Sequence, residues 1–388
     1  MTNVFGIYNT ANVLQEEVDI KLEKQIKNLL DNPVSRKANI RFMPDAHPGK
    51  FFPVGLYMHT IYDEEIGFIP SLIGNDAGCG ISFAEIEPPK RGFDFNKIDK
   101  VINEYIPNGH DNHDICNVSD NIKTIVDYHL KNALTADVDY DLVYKSIGTL
   151  GSGNHFIEID KTSDKRYYLI VHSGSRYLGN AILEYWLDYC KDHAENRDNN
   201  YVYELGSIKD TEAFKLYVRD ITVASIIASI NRSTIIDTIT KHAKIKVREG
   251  GFDNQHNIVK FNSFSDDLEY EVCKGVTRLN TLACGLVAIN PAEGHLLVEP
   301  NNRYNYCLPH GSGRAIARSE VANSHTVSEY KKIMKESNIH CTTISKDNLD
   351  EMPRAYRDKE YAENAIISNN LGRIIDHWKP VYSFKPKE

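Results

Sequence analysis

Apolar residues recur along the chain at two spacings, one typical of helices and one typical of strands. The helical spacing predicts helices over residues 18–30, 178–195 and 210–244. The last of these has an apolar face formed by Phe214, Tyr217, Ile221, Ala224, Ile227 and Ile230. Short apolar runs predict strands at residues 39–43, 81–86, 156–159, 167–171, 245–247, 286–289 and 295–298.

The order of these elements indicates the fold class. Helices and strands follow one another at irregular intervals without a repeated strand-helix-strand unit, which favours a mixed α+β fold over a doubly wound sheet. No Pro- or Ser-rich linker, block of charge or fixed-period repeat divides the chain. We therefore expect one domain over residues 1–388.

Composition and charge narrow the class of protein. With 388 residues, 41% of them hydrophobic, the chain can bury a large core. It lacks a signal-peptide pattern and a long apolar stretch, and its seven cysteines lack framework spacing, so we expect a reduced protein in the cytoplasm. A net charge of -9 argues against a broad nucleic-acid-binding surface. A local basic groove stays open, with candidate phosphate contacts at Lys274, Arg278, Arg314 and Arg318.

Several polar stretches carry side chains that bind metals. Residues 44–50 are predicted to form a turn, and residues 71–80 form a glycine-rich turn that holds Asp76 and Cys79 three positions apart. Histidines follow at the edges of predicted strands, at His155, His172 and His256. One carboxylate, one thiolate and three imidazoles in such contexts predict a site for one or two transition metals, with zinc and manganese both open. Residues 111–120, although rich in Asn, Asp and His, are predicted to be an exposed loop.

One further histidine stands among small residues, in the run Leu308-Pro-His310-Gly-Ser-Gly-Arg314. Glycines allow the backbone to approach a ligand closely and leave the imidazole accessible. By itself this run is also compatible with a surface turn that carries an incidental histidine. The metal-capable residues upstream favour a shared polar site.

Taken together and in order, these motifs resemble the RtcB family of RNA ligases. The resemblance runs from about Asn39 to the C-terminus and includes two closing motifs at residues 350–356 and 379–385. The motifs that carry it are Met43-Pro-Asp-Ala-His47, Asp76-Ala-Gly-Cys79-Gly80, Gly148-Thr-Leu-Gly-Ser-Gly-Asn154-His155-Phe-Ile-Glu158, His172-Ser-Gly-Ser-Arg176 and His310-Gly-Ser-Gly-Arg314. The resemblance implies a single α+β domain with mainly antiparallel sheets surrounded by helices.

The resemblance also implies a reaction. A GTP- and Mn²⁺-dependent ligase would join RNA ends that carry a 2',3'-cyclic phosphate or 3'-phosphate to 5'-hydroxyl ends, in tRNA splicing or RNA repair. His310 would be the nucleophile that takes GMP, and Asp45 would orient or deprotonate its neighbours. Arg314 is a further catalytic candidate.

The remaining site residues follow from the same resemblance. The implied ligands of one or two Mn²⁺ ions are Asp76, Cys79, His155, His172 and His256. The implied contacts to the guanine nucleotide are Asn154, Glu158, Asn257, Gly311, Ser312, Gly313, Tyr356 and Lys385. The implied phosphate or RNA contacts are Lys274, Arg314 and Arg318.

The chain departs from the family pattern at two places near the nucleotide. Ser312 stands where Ala is usual, and residues 289–293 replace a Gly-Ser-Met-type loop. These departures concern substrate range and nucleotide contacts more than the reaction itself. Two alternatives to a ligase also stay open. One is a metal-dependent phosphodiesterase that opens cyclic phosphates without joining ends, and the other is a non-catalytic RNA-binding relative.

Overall fold

The structure is a computed structural model that describes residues 1–116, 118–193, 206–262, 267–280 and 283–386. Its helices are α1 (Ile20–Leu30), α2 (Phe95–Tyr105), α3 (Asp120–Ala133), α4 (Tyr140–Ser146), α5 (Tyr177–Asp192), α6 (Thr211–Ala243), α7 (Val321–Ser324), α8 (Val327–Glu336) and α9 (Lys359–Ser368).

The strands form two large sheets and one small one. They are β1 (Thr2–Phe5), β2 (Thr10–Val13), β3 (Asn39–His47), β4 (Val54–Ile61), β5 (Gly80–Glu87), β6 (Phe156–Lys161), β7 (Tyr167–Ser173), β8 (Lys246–Gln255), β9 (Asn257–Phe261), β10 (Glu269–Lys274), β11 (Val276–Arg278), β12 (Gly285–Ala288), β13 (His295–Pro300), β14 (Cys307–Pro309) and β15 (Gly372–Phe384). The sheets have the orders β1-β2-β3-β4-β10-β9, β12-β13-β15-β6-β7-β5-β8 and β11-β14. Among these pairs only β2 and β3 run parallel.

Helix α6 joins the two large sheets. It begins where the Asp210 side chain accepts a hydrogen bond from the backbone N–H of Ala213, and it ends at Lys244 in a left-handed conformation. The helix contacts β5 and β7 of the seven-stranded sheet and β9 of the six-stranded sheet. Its predicted apolar face is buried except at the half-buried Ile230. Burial of this long face between the sheets fixes their ends relative to one another.

The seven-stranded sheet brings distant motifs to one edge. Strand β5 starts directly after Cys79, β6 starts after His155, β7 ends around His172, and β8 ends just before His256. Strands β6, β7, β5 and β8 are consecutive neighbours and antiparallel. The starts of β5 and β6 therefore lie beside the ends of β7 and β8, at one end of the strands. The register that produces this alignment pairs Phe156 with His172, Gly80 with Ser173 and Gly80 with Gln255.

The α+β class with mainly antiparallel sheets is confirmed, as are the three predicted helices within one to three residues at the described ends. Residues 194 and 195 of the second predicted helix lie outside the described residues. The division into one domain over residues 1–388 stays a prediction. Among the described residues, no helix is long and apolar enough to cross a membrane.

The predicted turn at residues 44–50 is wrong for residues 44–47, whereas residues 48–50 do lie in the connection between β3 and β4. Strand β3 continues to His47, which pairs with Val54, and the Gln15 side chain donates hydrogen bonds to the carbonyls of Pro44 and Ala46. Pro44 has no N–H to donate, and the pairing of β3 with β4 is irregular between Phe42 and His47. The polar side chains of this segment suggested a turn, whereas pairing with β4 keeps residues 44–47 extended.

Candidate active site

The predicted metal ligands converge around one buried thiol. The Cys79 Sγ atom lies 3.2 Å from Nε2 of His172 and 3.6 Å from Nε2 of His155. The Nε2 atoms of His172 and His256 are 3.3 Å apart, and Nε2 of His155 is 3.5 Å from Oδ2 of Asp76. Two metal-capable groups result, and they share the thiol: Cys79, His172 and His256 form one, and Asp76, Cys79 and His155 form the other.

The electrostatics of these groups fit a cation. Burial lowers the pKa of His172 and His256 well below the ordinary range, and neighbouring imidazoles lower it further, so both rings are neutral and keep a lone pair for a metal. Burial alone would raise the pKa of Asp76, but the hydrogen bond and charge of His155 lower it below its usual range. A carboxylate, a thiol and three imidazoles in one buried cluster are a donor set that zinc or manganese accepts.

Groups behind the cluster fix its ligands. Nδ1 of His155 lies 2.9 Å from the Leu150 carbonyl oxygen, which leaves Nε2 for the cluster. Arg232 on α6 is fully buried and donates to the carbonyl oxygens of Gly78 at 2.9 Å and Ser173 at 2.7 Å, each next to a candidate ligand. Its guanidinium also pairs with Asp253 at 2.7 Å. Sequence analysis missed Arg232, which gives no local signal within an amphipathic helix.

His310 lies beside this cluster and against Asp45. Its Nδ1 atom is 2.6 Å from Oδ2 of Asp45, and its ring centroid is 5.1 Å from that of His256. Burial alone would lower the pKa of His310, but the Asp45 charge and contact raise it above the ordinary value. A backbone contact with Gly275 raises the pKa as well. Asp45 therefore faces Nδ1 of the imidazole, and Nε2 is the ring nitrogen turned away from this carboxylate.

The glycine loop after His310 is fitted closely to Asp45. The Gly311 N–H donates to Oδ2 of Asp45 at 3.1 Å, and a Cβ on Gly313, whose φ is 83°, would lie 2.9 Å from the Asp45 Cα. The Ser312 hydroxyl lies 2.9 Å from the carbonyl oxygens of both Ile289 and Arg357. This departure from the family pattern therefore connects two loops instead of projecting freely into the site.

A pocket extends from His310 to the C-terminal strand. Most of the predicted nucleotide and phosphate contacts line it, namely Asn154, Glu158, Gly311, Ser312, Gly313, Arg314, Arg318, Tyr356 and Lys385. Asn290 and Pro291, from the loop that departs from the family pattern, also line this pocket. His47, from the segment that was predicted to be a turn, lines it as well, and burial lowers its pKa to about 4.

Of the nucleotide and phosphate contacts that the resemblance implies, two do not line this pocket, namely Asn257 and Lys274. The Asn257 amide donates to the Asp76 carbonyl oxygen at 3.1 Å and accepts from the Gly275 N–H at 2.9 Å. Nζ of Lys274 donates to the Ile73 carbonyl oxygen at 3.0 Å, and burial lowers its pKa to about 8. Both side chains instead hold the loop that carries Asp76.

Glu351 organises the polar wall of the pocket and was missed by sequence analysis. It is 1% exposed and contacts Arg314 at 2.5 Å, Arg318 at 2.9 Å and Lys385 at 3.5 Å. The Tyr356 hydroxyl also donates to it. Burial alone would raise the pKa of Glu351, but these cations lower it to about 2. Its place within the closing motif at residues 350–356 was the available signal.

Glu158 lies at the other side of the pocket. Its Oε1 atom accepts a hydrogen bond from Ser383 at 2.8 Å. Burial raises the pKa of Glu158 to about 7, and the nearby Asp160 adds to the shift. A buried carboxylate of this kind gains most from a ligand that presents N–H donors to it.

A comparison with protein families identifies the class to which the chain belongs. The model of one family, described as tRNA-splicing ligase RtcB, matches residues 25–386. The chain therefore belongs to the RtcB family of RNA ligases. The resemblance inferred from the motifs is confirmed.

Individual relatives come from bacteria and archaea. RNA-splicing ligase RtcB2 of Escherichia coli strain ATCC 25922 is 26% identical over 365 residues, which cover 88% of this chain and 86% of that relative. RNA-splicing ligase RtcB of Escherichia coli K12 is 25% identical, with 88% of each chain covered. tRNA-splicing ligase RtcB of Aeropyrum pernix is 22% identical, with 87% of this chain and 86% of that relative covered.

Proposed function

We propose that this protein is a GTP- and Mn²⁺-dependent RNA ligase that joins 2',3'-cyclic phosphate or 3'-phosphate ends to 5'-hydroxyl ends through a histidine-GMP intermediate. The observation that carries the proposal is the position of His310. Its imidazole is held at Nδ1 by Asp45, lies next to the metal-capable cluster and opens onto a pocket lined by cationic side chains. A nucleophile, a cation site and an anion-binding wall therefore meet at one place.

The first step uses Nε2 of His310. This atom attacks the α-phosphorus of GTP, a phosphorus-nitrogen bond forms, and the bond to the β-phosphate oxygen breaks to release pyrophosphate. Asp45 keeps the proton on Nδ1 and stabilises the positive charge that develops on the ring. When bound, the metal would neutralise phosphate charge and make the phosphorus more electrophilic, with Asp76, Cys79, His155, His172 and His256 as its ligands.

The later steps transfer and then expel the nucleotide. A cyclic end would first be opened by water, which adds to the phosphorus as the bond to the 2'-oxygen breaks and the 2'-hydroxyl takes a proton. An oxygen of the RNA 3'-phosphate then attacks the phosphorus of the guanylate, and the bond to His310 breaks. The RNA 5'-hydroxyl then attacks the activated 3'-phosphate, loses its proton, and GMP leaves. Arg314 and Arg318 lie on the pocket wall and supply positive charge for these phosphates once a ligand competes for them with Glu351.

Selection of guanine rests on the far side of the pocket. The Glu158 carboxylate would accept hydrogen bonds from the N–H donors of the base, and Lys385 would donate to an acceptor on the same edge. Tyr356 offers an aromatic face beside the Arg314 guanidinium, which lies 4.8 Å from the ring centroid. Asn154 would contact the nucleotide from the loop before β6.

Joining of defined RNA ends tests this proposal. An RNA with a 3'-phosphate and one with a 5'-hydroxyl are incubated with the protein, GTP and Mn²⁺, and we expect a joined product that disappears in the His310→Ala variant. His193→Ala, which changes an exposed histidine at the end of α5, serves as the matched control and should join normally. Opening of cyclic phosphates without any joining would identify the phosphodiesterase alternative and contradict the proposal.

A further inference from the structure

A second histidine-carboxylate pair lies behind the base side of the pocket. Nδ1 of His295 is 2.8 Å from Oδ2 of Asp160, and the two side chains are 1% and 0% exposed. Asp160 is two residues after Glu158 on β6, and His295 is the first residue of β13. Nδ1 of His295 is also 4.0 Å from Oε2 of Glu158. The proposed reaction gives this pair no role.

The other nitrogen of the His295 ring is available to a ligand. His295 lines the same pocket as His310. Its Nε2 atom is buried and has no hydrogen-bond partner among the residues that the structure describes. An unpaired polar atom in such a position is unfavourable, so a ligand that pairs with it gains affinity.

The protonation of the His295–Asp160 pair decides whether Nε2 is a hydrogen-bond donor or an acceptor. A short contact between Nδ1 and a carboxylate oxygen holds one proton, which leaves three arrangements of the pair. In the first, Asp160 is protonated and the His295 ring is neutral; in the second, Asp160 is ionised and the ring is protonated. Both have zero net charge, and both place a hydrogen on Nε2. In the third, Asp160 is ionised and the neutral ring is protonated at Nδ1, so the net charge is -1 and Nε2 has no hydrogen.

The surroundings disfavour that third arrangement. Burial raises the pKa of Asp160 and lowers that of His295 to about 4, because a net charge is costly away from water. The Glu158 carboxylate next to the pair makes a second negative charge costlier still. Nε2 therefore carries a hydrogen that none of the described residues accepts, on a side chain that lines the pocket.

We propose that His295 is a base-specificity residue whose Nε2–H donates a hydrogen bond to the exocyclic oxygen of a bound guanine. The inference rests on the proposed GTP-dependent function. Glu158 would accept from the ring N–H and the amino group of guanine, and the exocyclic oxygen is the next group along that edge. Adenine has an amino group at this position, so a donor on the protein would reject it.

The experiment compares nucleotide analogues on the full-length protein with Mn²⁺. Affinity is measured by calorimetry for GTP, 6-thio-GTP and ITP, because the thio analogue weakens only the exocyclic acceptor and ITP lacks only the amino group. We expect the wild type to prefer GTP to 6-thio-GTP by about tenfold. His295→Leu should lower this ratio several-fold, with Lys385 left as the remaining donor to the oxygen, and should leave the ratio of GTP to ITP unchanged, since Glu158 is intact.

A second variant and two further readouts exclude a merely structural role. His295→Gln keeps a donor and should retain most of the preference for GTP over 6-thio-GTP. Imidazole ¹⁵N shifts of His295, assigned by comparison with the variants, should show a protonated Nε2. Metal content should be equal in all variants, and a lower content in His295→Leu would mean that Glu158, Asp160 and His295 bind a metal instead.

The outcomes separate this inference from the proposed function. Equal losses for all three nucleotides in His295→Leu, an unchanged GTP to 6-thio-GTP ratio, or a bare Nε2 would overturn the inference. Guanine selectivity that depends on His295 without any covalent GMP adduct would support the inference and contradict only the transfer reaction.

Discussion

Replacing Arg232 by Met tests how the scaffold holds the metal cluster. The side chain is fully buried and donates to the carbonyl oxygens of Gly78 and Ser173 and to Asp253, so its removal takes a donor from two carbonyl oxygens and the cation from a buried ion pair. The Asp253 carboxylate still accepts hydrogen bonds from Ser82, Ser229 and Gln255. Breaking a buried ion pair costs about 3–5 kcal/mol. We expect the lower end, about 3 kcal/mol, because the Asp253 side chain is 23% exposed and keeps some water.

Urea unfolding followed by circular dichroism with a chelator present measures this loss apart from any effect of metal. Arg219→Met is the matched control, since Arg219 is exposed on the same helix, and it should change the free energy of unfolding by less than about 0.5 kcal/mol. The double variant Arg232→Met/Asp253→Leu should recover part of the loss, because the unpaired carboxylate is gone.

Metal affinity gives a second measurement for the same variant. Arg232 holds the residues next to Cys79 and His172, and loss of such support lowers metal affinity by about 10- to 100-fold. A loss of unfolding free energy below about 1 kcal/mol, together with unchanged metal affinity, would refute the reasoning.

Three further variants probe the site itself. Cys79→Ala removes the atom shared by both metal-capable groups, so Mn²⁺ bound per protein, measured by plasma mass spectrometry, should fall and joining should stop; full occupancy would contradict the assignment. Glu158 has a pKa of about 7 against an ordinary 4.5, so the folded state binds the extra proton and stability falls as pH rises through this window. Between about pH 5 and pH 8, the free energy of unfolding of the wild type should therefore fall by on the order of 2–3 kcal/mol more than that of Glu158→Gln. An equal pH dependence in the two proteins would be inconsistent with the raised pKa. Glu351 has a pKa of about 2, so its stabilising effect is present above the ordinary 4.5 and is lost as pH falls toward 2. Glu351→Gln should lower stability at neutral pH by a few kcal/mol and by much less at about pH 3, and equal losses at both would argue against the ion-pair network.

The sequence predicted the metal-capable cluster because three of its five candidate ligands stand directly before or after strands. Cys79, His155 and His256 each border a strand of the seven-stranded sheet, and antiparallel pairing of neighbouring strands places such positions together. A different signal predicted α6, whose apolar residues recur at helical spacing over its length.

Other features depend on pairing between distant segments and have no local signal. Strand β4 is buried on both faces along most of its length, so its sequence shows no alternation of apolar and polar positions. The segment up to His47 contains proline and polar residues, yet it stays extended through its pairing with Val54. His295 has a partner 135 positions away, and its spacing within the chain does not reveal that partner.

The role of Glu351 in the pocket also depends on contacts between distant segments. Its neighbours Arg314, Arg318 and Lys385 come from separate segments, and only the fold brings them to one carboxylate. The cationic side chains that line the pocket could therefore be predicted from the sequence, but the Glu351 carboxylate that pairs with them could not. The arrangement also means that a phosphate ligand competes with Glu351 for these cations.

Formation of a protein-GMP adduct tests the central claim most directly. The protein is incubated with Mn²⁺ and GTP labelled at the α-phosphate, precipitated and digested, and the labelled residue is identified by mass spectrometry. We expect an acid-labile phosphoramidate on His310 that is absent from His310→Ala and present in His193→Ala. A wild-type protein that retains Mn²⁺ and hydrolyses cyclic phosphates but never acquires the label, or a label at another residue, would contradict the account.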